Sequence, residues 1–462
     1  MEKLSTLDAA FLEVEDAVSH MHIGSIGIFE GPPPDARELR AMVAAKLPLV
    51  PRYRQVVRTV PLDMGHPVWV DDQHFNLDYH LRRTALPSPG AGPELRRLVG
   101  RVMSQQLDRG RPLWEMWAVE GLEGDRWGLI SKIHHCMVDG IAGSDLVDRM
   151  LDREPFASDR TPEEWVPESP PSPARLLAVG LGETAAMPLR LVTAVLRTPR
   201  VLASGRDAAA GLLRLGATVK PPPTTSLNGP VGRNRRWGWA RAQLDEIREI
   251  RAHLGGTVND VVLACITGGL RRLLLVRGES VVGPIRTLVP VSVRQEDQHG
   301  ECNNRVTAMF ADLPVAIEDP AARLLAIHAH LLDLKASHEA EAGAALTSLG
   351  NYTAPVAVAL GERLATRIPQ RSVNTVTTNV PGPQYPLYAC GRRMLEALPY
   401  VPLAGHVRLG IAIYSYDGAC TFGVTADYDA ADDIDVLCEG IESSLTELLA
   451  YASPAGAATA VR

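Results

Sequence analysis

Trp127-Gly128-Leu129-Ile130-Ser131-Lys132-Ile133-His134-His135-Cys136-Met137-Val138-Asp139-Gly140 is the stretch from which the rest of the chain can be read. Trp127, Leu129, Ser131, Ile133 and His135 fall at every second position, the period of a strand. One face therefore ends in His135, while Lys132 and His134 point to the other. Gly140 allows a turn, and Ile141, Leu146, Val147 and Met150 are then spaced for a helix over 141–151. A histidine is thus delivered at the end of a strand and just ahead of a helix, the rigid support a reacting side chain needs. Neutral imidazole, with an ordinary pKa of about 6.5, accepts a proton near neutral pH and returns it. Asp139, four residues on, is placed to hydrogen-bond locally and hold the loop. The plainer alternatives are a satisfied core histidine and a metal site. Adjacent histidines on a strand face opposite ways, and no other His/Cys pair lies at ligand spacing nearby. A base is therefore favoured over a metal ligand.

Working outward, residues 22–30 alternate as a strand that Gly31-Pro32-Pro33-Pro34 breaks, and 35–47 carries the caps and spacing of a helix. Strand-like pieces hold Trp69 and Tyr79, a helix is expected over 93–107, and 112–119 returns as a strand. Alternation of strands and helices makes this half α/β. From 153 to 172 the composition turns to Pro and acids, as in a linker. Residues 173–220 then hold seven basic side chains against two acidic ones, among Leu, Val, Ala and Met. Amphipathic helices with an arginine-lined face fit this composition. They would either sit on anionic lipid or cross between two domains and pack on both. Pro221-Pro222-Pro223 and Asn228-Gly229-Pro230 mark a second boundary. Beyond it, helices are expected over 245–254, after Asn259, over 321–338 and over 434–451, with strands over 288–293, 306–310, 373–380, 410–416 and 422–428.

The chain has 462 residues, enough for two or three domains; its 46% hydrophobic and 22% charged content is that of a globular protein. A net charge of −7 argues against nucleic acid as a partner. Six scattered cysteines (136, 265, 302, 390, 420, 438) suit a reducing cytoplasm, and no signal peptide is apparent. Two uncharged runs, 342–361 and 372–391, carry too much Thr, Asn, Tyr, Gly and Pro to be read as membrane spans. Nucleophile-elbow, phosphate-loop and dinucleotide-binding patterns are absent.

Several further motifs bear on the site. Thr257-Val258-Asn259-Asp260 reads as a helix start with Thr or Asn as N-cap and an acid in the first turn. Arg294 ends a strand after Pro290. Thr375 to Val380 alternates up to a rigid Pro381-Gly382-Pro383 turn. Its threonines either line a wet face or aim donors at an oxyanion.

His134-His135-x-x-x-Asp139-Gly140 resembles the motif of the coenzyme A-dependent acyltransferase superfamily. Five other stretches narrow the resemblance: Leu4-Ser5-Thr6-Leu7-Asp8-Ala9-Ala10-Phe11-Leu12, Pro112-Leu113-Trp114-Glu115, Thr257 to Val261, Arg286 to Arg294 and Asn379 to Pro383. Together they resemble the bacterial wax ester synthase/diacylglycerol acyltransferase family, most of all the mycobacterial and actinobacterial triacylglycerol synthases. The resemblance implies two chloramphenicol-acetyltransferase-like α/β sandwich domains, 1–152 and 231–462, joined by a linker and helical crossover over 153–230, with the active-site channel between them. It also implies acyl transfer from acyl-CoA to diacylglycerol, or to a long-chain alcohol, giving triacylglycerol or a wax ester.

By the same resemblance His135 is the general base, with His134, Asp139 and Gly140 completing the motif. Thr377, Thr378, Asn379 and Asn259 are the oxyanion or channel candidates. Asp260 supports the site, and Arg294 clamps Asp139 across the domains. No metal and no cofactor is expected beyond acyl-CoA as substrate. The expected setting is a cytoplasmic monomer held peripherally at the inner face of the membrane or on lipid inclusions. Two rivals share the fold: a condensation enzyme fed by carrier proteins, and a non-catalytic coat of lipid inclusions.

Overall fold

Strand Arg126–His134 sits inside the first of two six-stranded sheets. The computed structural model describes residues 2–61, 64–138, 143–155, 165–182, 222–292, 306–336 and 372–452. From edge to edge the first sheet runs Tyr388–Ala389, Arg392–Tyr400, His22–Glu30, Arg126–His134, Trp114–Leu122 and Leu81–Ala85. Only its last pair is parallel. The period of two sorts the side chains as anticipated. Trp127, Leu129 and Ile133 enter a core with Trp114, Met116 and Leu39 of helix Ala36–Lys46. Ile130 points oppositely, to Ile26, Ile28 and the Leu95, Val99 and Val102 face of helix Gly92–Met103.

The second sheet is mixed, in the order Val306–Leu313, Ile285–Ser292, Thr375–Pro381, Leu409–Tyr416, Ala419–Asp427 and Arg235–Gln243. Helices Leu244–Leu254, Val258–Val276, Pro320–Ala336 and Ile434–Ala452 bury their apolar faces in its core. Helices Val258–Val276 and Ile434–Ala452 cross closely because small residues meet there. A Cβ on Gly440 would come within 2.8 Å of the Gly269 Cα. Both predicted caps are present. Asp35 accepts from the Arg37 and Glu38 amides, and Thr257 and Asp260 bond each other's backbone N–H.

The two sheets do not follow the order of the chain throughout. Strand Arg392–Tyr400 comes from the second half of the chain yet pairs with His22–Glu30 in the first sheet. Its backbone also lies on strand Ala419–Asp427 of the second sheet: Thr421 Oγ1 donates to Ala397 O at 2.6 Å and Trp237 Nε1 to Pro399 O at 3.1 Å. Beside them Arg235 N–H donates to Ser104 Oγ at 2.8 Å, just beyond helix Gly92–Met103. Trp237 and Trp239 enter the same cluster as that helix.

Three local expectations are corrected. Tyr79 lies in a short helix, Leu77–His80, because the Asn76 side chain accepts the Asp78 N–H at 3.0 Å and caps it. Strand Arg392–Tyr400 went unread because a bulge between Met394 and Glu396 breaks its alternation. His135 begins a 3-10 turn, His135–Met137, so the strand stops at His134. The helix that follows spans Gly143–Met150. Among the described residues no helix is long and apolar enough to cross a membrane. The run 342–361 and most of 173–220 lie outside those residues; 173–182 is helical.

Gly423 tests the seam between the sheets. A Cβ there would sit 1.8 Å from Pro399 O, a backbone atom that cannot step aside alone. Gly423→Ala is expected to destabilise the protein by about 1–3 kcal/mol or more, the usual result of overpacking. Thermal unfolding followed by circular dichroism would show it, and an unchanged Tm would contradict this account of the seam.

Candidate active site

Each part of the histidine turn is fixed by backbone. His134 N–H donates to Leu113 O at 2.9 Å, and His135 N–H donates to Met21 O at 2.8 Å. His134 Nδ1 accepts the Cys136 N–H at 3.2 Å, so His134 caps the turn that presents His135. The His135 ring stacks on Phe11 of helix Thr6–Val14, with centroids 3.9 Å apart and planes 26° from parallel. Desolvation pushes the His135 pKa down to about 4, so the ring is a neutral proton acceptor at physiological pH. Unlike His134, His135 is only partly buried.

His134 points to the other face, as the strand period requires, into a buried polar cluster. Its pKa is down to about 3, chiefly through burial. Its Nε2 lies 3.7 Å from a Glu15 carboxylate oxygen, and His22 Nε2 lies 3.5 Å from the other. Arg109 grips the same carboxylate, at 2.7 Å from Nε. Lys132, fully buried, donates to Val102 O at 3.0 Å and also to Gln105 O, closing the C-terminal end of helix Gly92–Met103. Glu15, His22 and Lys132 were not singled out from sequence. Lys132 was visible as a charge on the inward-facing side of a strand, but the partner of such a charge lies too far along the chain to be read.

The second-half candidates fall on two faces of strand Thr375–Pro381. Thr377 is buried, and its hydroxyl oxygen accepts from Thr287 Oγ1 at 2.8 Å. Asn379 Nδ2 donates to Asn259 Oδ1 at 3.3 Å, at the start of helix Val258–Val276. Val380, on the opposite face, joins the core that contains Cys136 and Met137 of the histidine turn. Thr378 shares that face by the period of two. Helix Gly143–Met150 contacts the same strand, and Tyr385 Oη donates to Asp148 of that helix at 2.7 Å. The strand therefore abuts the histidine side of the molecule. Asp260 instead ties two helices together, accepting the Thr257 N–H and lying 2.7 Å from His328 Nδ1. Asp139, Gly140 and Arg294 lie outside the described residues. Among the described residues no group of three or more His, Cys, Asp or Glu side chains is arranged to hold a metal ion.

Comparison with known proteins follows from this geometry. Residues 4–262 match the wax ester synthase/diacylglycerol acyltransferase catalytic domain, and 302–449 match the C-terminal domain of the same proteins. The chain belongs to this family. It is 38% identical over 453 residues to a probable diacylglycerol O-acyltransferase of Mycobacterium tuberculosis, covering 97% of this chain and 96% of that one. Among solved structures it resembles the wax ester synthase/diacylglycerol acyltransferase of Marinobacter aquaeolei VT8, with TM-score 0.68 and 25% identity over 97% of this chain and 99% of the other. The trichothecene 15-O-acetyltransferase of Fusarium sporotrichioides shares the fold at TM-score 0.62 and 14% identity, over 97% and 94% of the two chains. The two-domain acyltransferase architecture expected from the motifs is thus the one observed.

In this family member the buried lysine has a measurable consequence. Burial pushes the Lys132 pKa from 10.5 down to about 8. Between those values the unfolded chain keeps a proton that the folded chain has released, so stability gains from this residue as pH rises. Lys132→Met is expected to remove a rise on the order of 3 kcal/mol across that window. Urea unfolding of both proteins at several pH values from 8 to 10.5 would test it; parallel curves would refute it.

Proposed function

We propose that this chain transfers a long-chain acyl group from acyl-CoA to diacylglycerol, giving triacylglycerol, with His135 as general base. The observation that carries the assignment is a neutral, partly exposed His135, held at the family's motif position in a chain related over nearly its full length to diacylglycerol O-acyltransferases. In this scheme His135 Nε2 takes the acceptor's hydroxyl proton as that oxygen attacks the thioester carbonyl. The tetrahedral intermediate then collapses, the C–S bond breaks, and the same proton passes to the departing thiolate. The acyl group moves directly to the acceptor oxygen, so no acyl-enzyme forms. Donors from the second half hold the oxyanion, usually the larger contribution to rate. Thr377, Thr378, Asn379 and Asn259 are the candidates; Thr377 accepts from Thr287, which leaves its own O–H to donate. A long-chain alcohol as acceptor, yielding a wax ester, is the second reading, and the name of the family itself supports it.

Purified protein given labelled palmitoyl-CoA, with diacylglycerol and hexadecanol in competition, tests both. Triacylglycerol is the expected main product, and neither ester forming would reject the assignment. His135→Ala should lower turnover by about 10²–10⁴-fold, the usual worth of a positioned base. His134→Ala, whose ring faces the buried cluster, should cost less. Equal loss in two well-folded variants would reverse that division of labour.

Diacylglycerol is too apolar to diffuse freely through water, so the scheme requires a meeting with a lipid surface. The basic stretch 173–220 supports peripheral attachment, because each Lys or Arg near an anionic leaflet contributes on the order of 1 kcal/mol. Replacing Arg190, Arg197, Arg200 and Arg206 by Gln should weaken binding to anionic vesicles and reduce activity on vesicle-borne diacylglycerol. Activity on a short soluble alcohol should survive. Equal loss on both acceptors would instead give these arginines a role in holding the domains.

A further inference from the structure

We propose that Phe11 is a positioning residue for the base: its ring lies flat against His135, fixes the plane of the imidazole and shields that face from water. The inference rests on the reading of His135 as general base and extends it to a residue on another element of the chain.

Two contacts hold His135, one on its backbone and one on its ring. The backbone is fixed by the His135 N–H, which donates to Met21 O at 2.8 Å. The Phe11 contact, at 3.9 Å and 26°, acts on the face of the ring. The first sets where the side chain starts, and the second sets the plane of its ring.

Phe11 is itself on firm ground. Helix Thr6–Val14 begins with Ser5 accepting the Asp8 N–H at 3.1 Å, and Leu4 N–H is tied to Pro67 O at 2.9 Å. At its other end Glu15 N–H donates to Phe11 O at 3.3 Å, and Arg109 donates to Leu12 O at 2.6 Å. The helix packs along the turn His135–Met137. The stack is therefore a junction of two anchored segments rather than a chance contact of a loose loop.

Among the described residues, the charged groups of the surrounding elements are engaged with other partners. On the first helix and just beyond it, Asp8 is bonded to Ser5 and Glu15 is gripped by Arg109. His134 faces the Glu15 side, and Asp148 of helix Gly143–Met150 holds Arg153 and Tyr385. What depresses the His135 pKa is desolvation, with no neighbouring charge among its causes. Phe11 is the aromatic wall supplying part of that desolvation, so its removal should let water reach the ring and raise the pKa from about 4 toward 6.5. The base is needed unprotonated. A raised pKa therefore moves the acidic limb of kcat/KM to higher pH.

The test compares Phe11→Ala, Phe11→Leu, Phe11→Tyr and Phe11→Trp with the parent protein in acyl transfer from palmitoyl-CoA. NMR titration of the His135 ring serves as a readout independent of activity. Phe11→Ala should lower kcat about tenfold or more, with KM for acyl-CoA within about twofold. Its acidic limb and its His135 titration should both move up by about one pH unit or more. Phe11→Leu should preserve the Tm and still show both shifts, while Tyr and Trp should restore parental behaviour. A Phe11→Leu protein with the parental kcat and titration would overturn the inference. So would a loss of kcat unaccompanied by any change in the acidic limb or the ring titration. His135→Ala is the control: if it stays active the assigned base is wrong, whereas an inactive His135→Ala beside normal Phe11 variants removes Phe11 alone.

Discussion

The carbonyl oxygen of Pro399 lies where the two sheets meet, and the rest of the architecture depends on that contact. It accepts the Trp237 indole N–H and stands so near Gly423 that only hydrogen fits there. A buried carbonyl needs a donor, and a strand laid across another sheet needs small residues beneath it. Both conditions are met by side chains of the second sheet, while strand Arg392–Tyr400 itself belongs to the first. The histidine turn is carried two strands away in that first sheet, and Thr375–Pro381 is carried in the second. Their relation in space is consequently set by this seam.

The electrostatics around the turn follow from burial. His22, His134, a lysine and a glutamate share a region shielded from water, His135 lies on the opposite face, and the order of their responses is physical. The imidazoles shed their protons because neutrality costs them least, and Lys132 is held by two carbonyls at a helix end. The glutamate stays with Arg109. His135 differs from His134 and His22 in being partly open, so one of three neutral imidazoles is left free to exchange a proton with something outside the protein.

Much of this was legible in the chain. Alternation in Arg126–His134 placed His134 and His135 on opposite faces, and the caps at Asp35 and Thr257 marked two helix starts where they occur. What escaped was governed by distant partners. The bulge at Met394 and Glu396 erased the period of two in the strand that closes the first sheet. The stacking of Phe11 on His135 joins residues far apart in sequence, and Leu4 to Leu12 could be quoted as a motif without revealing which ring its phenylalanine would meet. Thr377 is buried and accepts from Thr287 of the neighbouring strand, a pairing that alternation alone does not reveal.

The pairing of Arg392–Tyr400 with His22–Glu30 also orders events in time. During synthesis the first sheet emerges with its strands nearly complete but with one long apolar edge, His22–Glu30, awaiting a partner made hundreds of residues later. An open edge of that kind invites pairing with other chains, and closure over so great a separation is slow. The nascent protein therefore passes through a vulnerable interval that ends only when the ribosome has released Tyr400. Shortened products lacking the returning strand would keep that edge exposed, with aggregation as their natural fate.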